Sequence, residues 1–241
     1  MNIEAQFREL NGRLAKREDR RAWDVTTVLR QVELRKESFD IASAELEQAC
    51  EAYLAAEEGF RALMHREVGV YRLTPPEIEV LETHTAATPF LILRIETFVI
   101  QARILLDRVA RLLHFAFRPD GVAIGSHSGV AERLPALAAS HNVELPDTLV
   151  PRVERLTTTV KTLRDKYLVH PSWPEGHRVR TTPIVDPETG AVQLKIKFAA
   201  PQDDESFEPL YSSELHTVRT DVLDYLDEAL ALIESNGLPR A

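Results

Sequence analysis

This chain is poor in the residues that announce chemistry. A single cysteine, Cys50, stands in 241 residues, so no internal disulfide can form and a reducing, cytoplasmic setting is expected. Its position inside an apolar helical pattern marks it as a small core residue rather than a nucleophile. Nine glycines are spread thinly and form no Walker-type loop, dinucleotide fingerprint or serine elbow. The eight histidines are scattered without the close spacing of zinc ligands; His170 and His177, flanking a turn with Glu175, come nearest. No metal or other cofactor is therefore expected. Long apolar runs are also missing. The most hydrophobic stretch, 89–117, carries Arg94, Glu96, Arg103, Asp107, Arg108 and Arg111, too many charges for a bilayer span. The first residues are polar and precede no apolar run, so neither a secretory signal nor a membrane role is expected. Positive charge is short overall: the net charge of −9 argues against a protein that coats nucleic acid without discrimination.

What is present is a helix former's composition, 44% hydrophobic and 28% charged, enough for a real core. Residues 1–35 are rich in Arg and Glu with few large apolar side chains and read as a charged arm or a weak helix. From Glu37 to about Val68, Phe39, Ala42, Leu46, Ala49, Tyr53, Ala56, Phe60 and Leu63 recur at steps of three and four, one face of a long helix. Thr74-Pro75-Pro76-Glu77 is a helix start with a capping-box carboxylate, leading to a short helix ending near His84. Thr88-Pro89 reads as a second start, for a helix to about Phe117 that is apolar nearly all round and belongs at the centre of a bundle or at an oligomer interface. Further helices are expected from Ser128 to about Ser140, from near Asp147 to about His170, and from about Ser213 to Ser235. Pro171 disfavours helical geometry before it, and Gly237 and Pro239 end the last helix.

The period changes once. Val192, Leu194, Ile196 and Phe198 alternate with Gln193, Lys195 and Lys197, a half-buried strand, and 178–185 is its partner across the turn Asp186-Pro187-Glu188-Thr189-Gly190. The fold class is thus mainly α: an antiparallel helical bundle over 36–235 with a β-hairpin at 178–199 inserted before the last helix, and a tail at 236–241.

Local charge runs against the average. Arg152–Arg180 holds seven basic and three acidic residues, and Arg103–Arg118 four and one. Two basic segments in an acidic chain can line an anion groove or can simply be solvated helix faces. Within the first stands Arg164-Asp165-Lys166-Tyr167-Leu168-Val169-His170-Pro171, at a helix end. Metal-free RNA cleavage needs a base for the 2′-hydroxyl and a cation for charge on the phosphorus oxygens. Histidine titrates near neutrality and fits the first task; the planar arginine fork fits the second. A similar Arg–His spacing recurs at Arg108 and His114, but in mid-helix among core residues, where a structural role explains it.

The Arg-Asp-Lys-Tyr-Leu-Val-His stretch resembles the Arg–polar–His motif of the HEPN superfamily, and the helix carrying Ala102–Ala110 is similar to the partner helix of such proteins. The resemblance covers residues 36–235 in helix order. It implies a dimeric four- or five-helix bundle acting as a metal-independent endoribonuclease, often in toxin–antitoxin or other defence systems, or else a non-catalytic relative serving as an interaction or scaffold module. By that resemblance Arg164 and His170 are the catalytic pair, Asp165 holds the polar position, and Asp107 is a possible helper from the facing helix. Lys161, Lys166, Arg178 and Arg180 would contact RNA, and the partners implied are a second copy, an RNA substrate and an antitoxin or other protein. This chain departs from the pattern in having Asp rather than Asn after the arginine and in its inserted hairpin.

Overall fold

The computed structural model describes residues 3–17, 20–64, 72–117, 126–167, 178–199 and 210–236. Helices α1 (Ile3–Leu14), α2 (Arg20–Met64), α3 (Pro75–Phe117), α4 (Ser128–His141) and α5 (Leu149–Tyr167) come first. Strands β1 (Arg178–Val185), β2 (Val192–Ala199) and β3 (Leu210–Tyr211) follow, and α6 (Ser212–Asn236) closes the order. The chain is therefore mainly helical with a small antiparallel sheet ordered β1-β2-β3. No helix among the described residues is long and apolar enough to cross a membrane.

These elements divide into two compact units. The first comprises Met1–Asp40, Val99–Asp165 and Thr217–Ala241; the second comprises Ile41–Phe98 and Lys166–His216. In the first unit the N-terminal segment takes the helical alternative. Phe7, Leu10 and Leu14 of α1 and Val25, Leu29 and Val32 of α2 are all buried. They are few, but they recur at three- and four-residue steps, so each meets the core on one face. The later part of α3 supplies Val99, Ala102, Leu105, Leu106, Val109, Leu112 and Leu113, every one buried. Burial of each large apolar side chain contributes about 2 kcal/mol, which makes this segment the centre of the unit.

Helices α5 and α6 pack antiparallel, as their polar contacts show: residue numbers fall along α6 as they rise along α5. Thr148 Oγ1 donates to Glu228 at 2.7 Å, Arg152 reaches Asp224 at 2.7 Å, and Arg155 grips Asp221 with Nε and Nη2 at 2.8 and 2.7 Å. Beneath them Val153, Leu156, Val160 and Leu163, spaced 3-4-3, form a narrow seam, all buried. α4 ends on Asn142 in the left-handed region (φ 52°), whose N–H bonds the last carbonyls.

In the second unit α2 and α3 are also antiparallel. Arg94 Nη1 lies 2.8 Å from Glu45, and His84 Nε2 lies 2.9 Å from Glu57. Gly59 brings the helices close: a Cβ there would stand 3.4 Å from the Val80 side chain. α3 opens as its sequence suggests, with the Glu77 carboxylate accepting the Thr74 N–H at 2.7 Å. It does not stop near His84. Pro89 lies inside one continuous helix, and the expected break between two shorter helices does not occur. An internal proline costs roughly 3 kcal/mol, but Leu91, Ile95 and Phe98 just beyond it are buried, and their packing outweighs the lost backbone bond.

The hairpin has the expected strands, paired in register from Arg178↔Ala199 to Val185↔Val192. Its turn is built by Asp186, whose Oδ1 accepts the N–H groups of Glu188 and Thr189 at 2.8 and 3.0 Å; these bonds, that from Thr189 foremost, hold its carboxyl below the usual range. Gly190, at φ 71°, takes the conformation that a side chain would strain. Pro183 falls on β1, the edge strand, where its missing donor is tolerated. Leu194 and Ile196 are buried, and the Tyr53 hydroxyl donates to the Thr181 carbonyl at 2.9 Å, fixing the sheet to α2. The two-residue strand β3 has no sequence signature; it pairs Leu210 with Ile196 and Tyr211 with Lys195.

Candidate functional site

Arg164 lies in the last turn of α5, a helix whose position is set by the α5–α6 ion-pair ladder and the buried seam below it. It is half-buried and already makes an interaction of its own. Asp165, Lys166 and Tyr167 continue the helix. The helix is described only to Tyr167, and His170 lies outside the described residues, as do Leu168, Val169 and Pro171. Arg178 and Arg180 stand at the start of β1, and Lys161 is exposed on α5.

The basic segment is partly spent on the fold. Arg152, half-buried, meets Asp221, Asp224 and Glu228 at 3.3, 2.7 and 3.3 Å, and Arg155 pairs with Asp221. Part of the charge that reads as excess along the sequence is thus neutralised across the helix pair.

Asp107 belongs to a polar knot in the first unit. Its Oδ2 accepts Arg103 Nε at 3.1 Å and its Oδ1 accepts the His127 backbone N–H at 2.9 Å. The carboxylate thus fixes the start of α4, where His127 takes the cap position without a side-chain cap of its own. The His127 ring is fully buried and meets Tyr225 edge to face, centroids 5.2 Å apart. Among the described residues neither ring nitrogen has a hydrogen-bond partner of good geometry, and a weak hydrogen bond with the Val153 backbone favours the protonated ring. Burial and then the Arg103 charge push the imidazole down to about 4, so it is neutral at physiological pH. The Tyr225 hydroxyl is buried with no partner among the described residues, and burial with the Asp107 charge holds it protonated. The His127 and Tyr225 rings of this knot are closed to solvent, whereas the Asp107 side chain keeps 37% of its surface exposed.

A second polar cluster ties the second unit together. His84 stacks on Phe60 with ring centroids 4.2 Å apart, while Glu57 accepts from Arg61 Nε and contacts His84, each at 2.9 Å. Burial, then the Glu57 charge, raises the Tyr53 phenol above its ordinary value. Cys50 nearby is pushed up to about 11 by burial and by Glu47 and Glu51, so its thiol is inert at neutral pH. Nothing in the sequence marks His84 or His127, because their partners come from other helices. Among the described residues no group of three or more His, Cys, Asp or Glu side chains is arranged to hold a metal ion. No protein family, curated protein or solved structure matches this chain.

Proposed function

We propose that this protein is a metal-independent endoribonuclease of the HEPN type, a homodimer serving a toxin or other defence role. The observation that supports it best is the setting of Arg164-Asp165: the final turn of an amphipathic helix, in a mainly helical chain, with His170 shortly beyond in sequence. His170 takes the proton of the ribose 2′-hydroxyl, whose oxygen attacks the adjacent phosphorus. Arg164 stabilises the charge that gathers on the phosphorus oxygens. The bond to the 5′-oxygen breaks, and that oxygen takes a proton from water, giving a 2′,3′-cyclic phosphate and a 5′-hydroxyl. Asp165 orients its neighbours, and Lys161 and Lys166 hold RNA near the helix end. Asp107 is the possible helper: each of its oxygens accepts one hydrogen bond, from Arg103 and from the start of α4, and keeps a further lone pair.

Incubation with mixed cellular RNA in EDTA tests the proposal. The parent should cleave and leave 2′,3′-cyclic phosphate ends, and the Arg164→Ala/His170→Ala variant should not. Equal cleavage by both proteins, or none by the parent, overturns it. A non-catalytic interaction module is the second reading. It is favoured by the apolar side chains that α3 leaves exposed in the second unit, Ile78, Leu81, Phe90 and Leu93. A pull-down that returns a stoichiometric partner alongside an inactive parent would establish it.

A further inference from the structure

We infer that the outer face of the hairpin sheet is a binding surface for single-stranded RNA, with Lys195, Lys197 and Tyr211 as its contacts besides the two arginines of β1. The inference rests on the ribonuclease reading only for the identity of the polyanion.

Register places the residues. Side chains alternate across a ladder, so the positions paired as Arg180↔Lys197 and Thr182↔Lys195 share one face, and position 178 precedes them on it. Tyr211, opposite Lys195 on β3, joins the same face. The other face carries Thr181, Leu194 and Ile196, the last two buried, so it is the one turned to the core. One small sheet therefore gathers four basic positions and one aromatic position in a chain of net charge −9.

This clustering works against the sheet's own stability. Like charges directly opposite in a ladder repel, and Arg180 is paired with Lys197. Lys195 and Lys197 are half-buried, and among the described residues neither has a side-chain hydrogen bond or ion pair to offset the charge. Edge protection would explain basic residues on β1, where unpaired strand groups invite aggregation. It does not explain Lys195 on β2, which is paired on both sides, with Thr182 of β1 and Tyr211 of β3. An anionic ligand resolves the conflict. Arginine and lysine at alternate positions stand roughly 7 Å apart along each strand, a spaced set of cations for a phosphate backbone. The tyrosine among them favours RNA over an acidic protein, because a base can stack on its ring.

Anisotropy titration of a fluorescent single-stranded oligoribonucleotide in EDTA tests this, using the Arg164→Ala/His170→Ala background so that the probe stays intact. Lys195→Gln/Lys197→Gln should weaken binding at least tenfold. It should also flatten the dependence of log affinity on log salt by about 1.4, at roughly 0.7 for each phosphate no longer neutralised. Tyr211→Leu should weaken binding five-fold or more and leave the salt slope unchanged, a split that a merely unfolded hairpin would not give. Binding with affinity and slope unaltered by either change overturns the surface. So does equal competition by polyglutamate, which would make an acidic protein the occupant. Lysine-dependent binding by a protein whose parent never cleaves RNA would keep the surface and refute the ribonuclease.

Discussion

The two units treat the same kind of sequence in opposite ways. α3 is apolar nearly all round along its second half and beyond. Where it runs through the first unit, Leu105, Leu106, Val109, Leu112 and Leu113 are wholly enclosed. Where it runs through the second, Phe90 and Leu93 are 43% and 53% exposed, and the buried set shrinks to Leu91, Ile95 and Phe98. The first unit also holds α1, the start of α2, α4, α5 and most of α6; the second holds the rest of α2 and a three-stranded sheet. Hydrophobicity along a helix reports how many neighbours it can accept, and the number it receives depends on the topology around it. The first unit combines this core with the ion pairs of Arg152 and Arg155 to α6, and it encloses the Tyr225 hydroxyl, which no described residue satisfies. The second relies on explicit polar ties, Tyr53 to Thr181, His84 to Glu57 and Arg94 to Glu45.

That contrast can be broken by mutation. Phe117→Ala, at a fully buried site of the first unit, should cost about 3–5 kcal/mol in chemical denaturation. Leu93→Ala in the second should stay within roughly 0.5 kcal/mol. A comparable loss at both sites would erase the distinction. Acid is the next lever. His127 titrates near 4 in the folded protein, against an ordinary value of 6.5, so the unfolded chain binds the extra proton first. Stability should be complete above pH 6.5 and fall as pH drops towards 4, by a few kcal/mol in all. His127→Phe should flatten denaturation midpoints across that window; an unchanged slope would mean that the ring does not stay neutral in the fold.

Smaller effects are expected at the ion pairs. Arg152→Ala removes the common partner of Asp221, Asp224 and Glu228 and should cost about 1–3 kcal/mol. Arg155→Ala, at a side chain 52% exposed, should cost less than about 1 kcal/mol and less still in high salt. In the second unit, Tyr53→Phe should lose about 1 kcal/mol with the bond to the Thr181 carbonyl. A double-mutant cycle pairing Tyr53→Phe with Glu57→Gln would report whether these ties act together.

Much of this is legible along the chain wherever a local rule decides the outcome. The hairpin follows from strict alternation and from Asp186 and Gly190 in its turn; the α5 seam follows from its 3-4-3 spacing. The rules fail where packing overrides them. Pro89 reads as a helix start but lies within α3, because the buried residues after it hold the helix together. Residues 3–35 read as too sparse in apolar side chains, yet their few fall on one face. The division into two units, the knot at His127 and the two residues of β3 depend on neighbours distant in sequence and have no local sign. Of the candidate site, the chemistry of Arg164 is visible in residue type and its helix end in the spacing; the cancellation of Arg152 and Arg155 by α6 is not.

The proposed cleavage depends on two side chains, and each can be tested alone. Arg164→Ala and His170→Ala, checked for parental helix content, would be followed beside the parent in single-turnover cleavage of a labelled RNA in EDTA. Loss of a charge stabiliser or of a base should slow cleavage about a hundredfold or more in each case, with 2′,3′-cyclic phosphate and 5′-hydroxyl the new ends from the parent. Parental rates in either variant, or 3′-hydroxyl ends, would contradict the assignment.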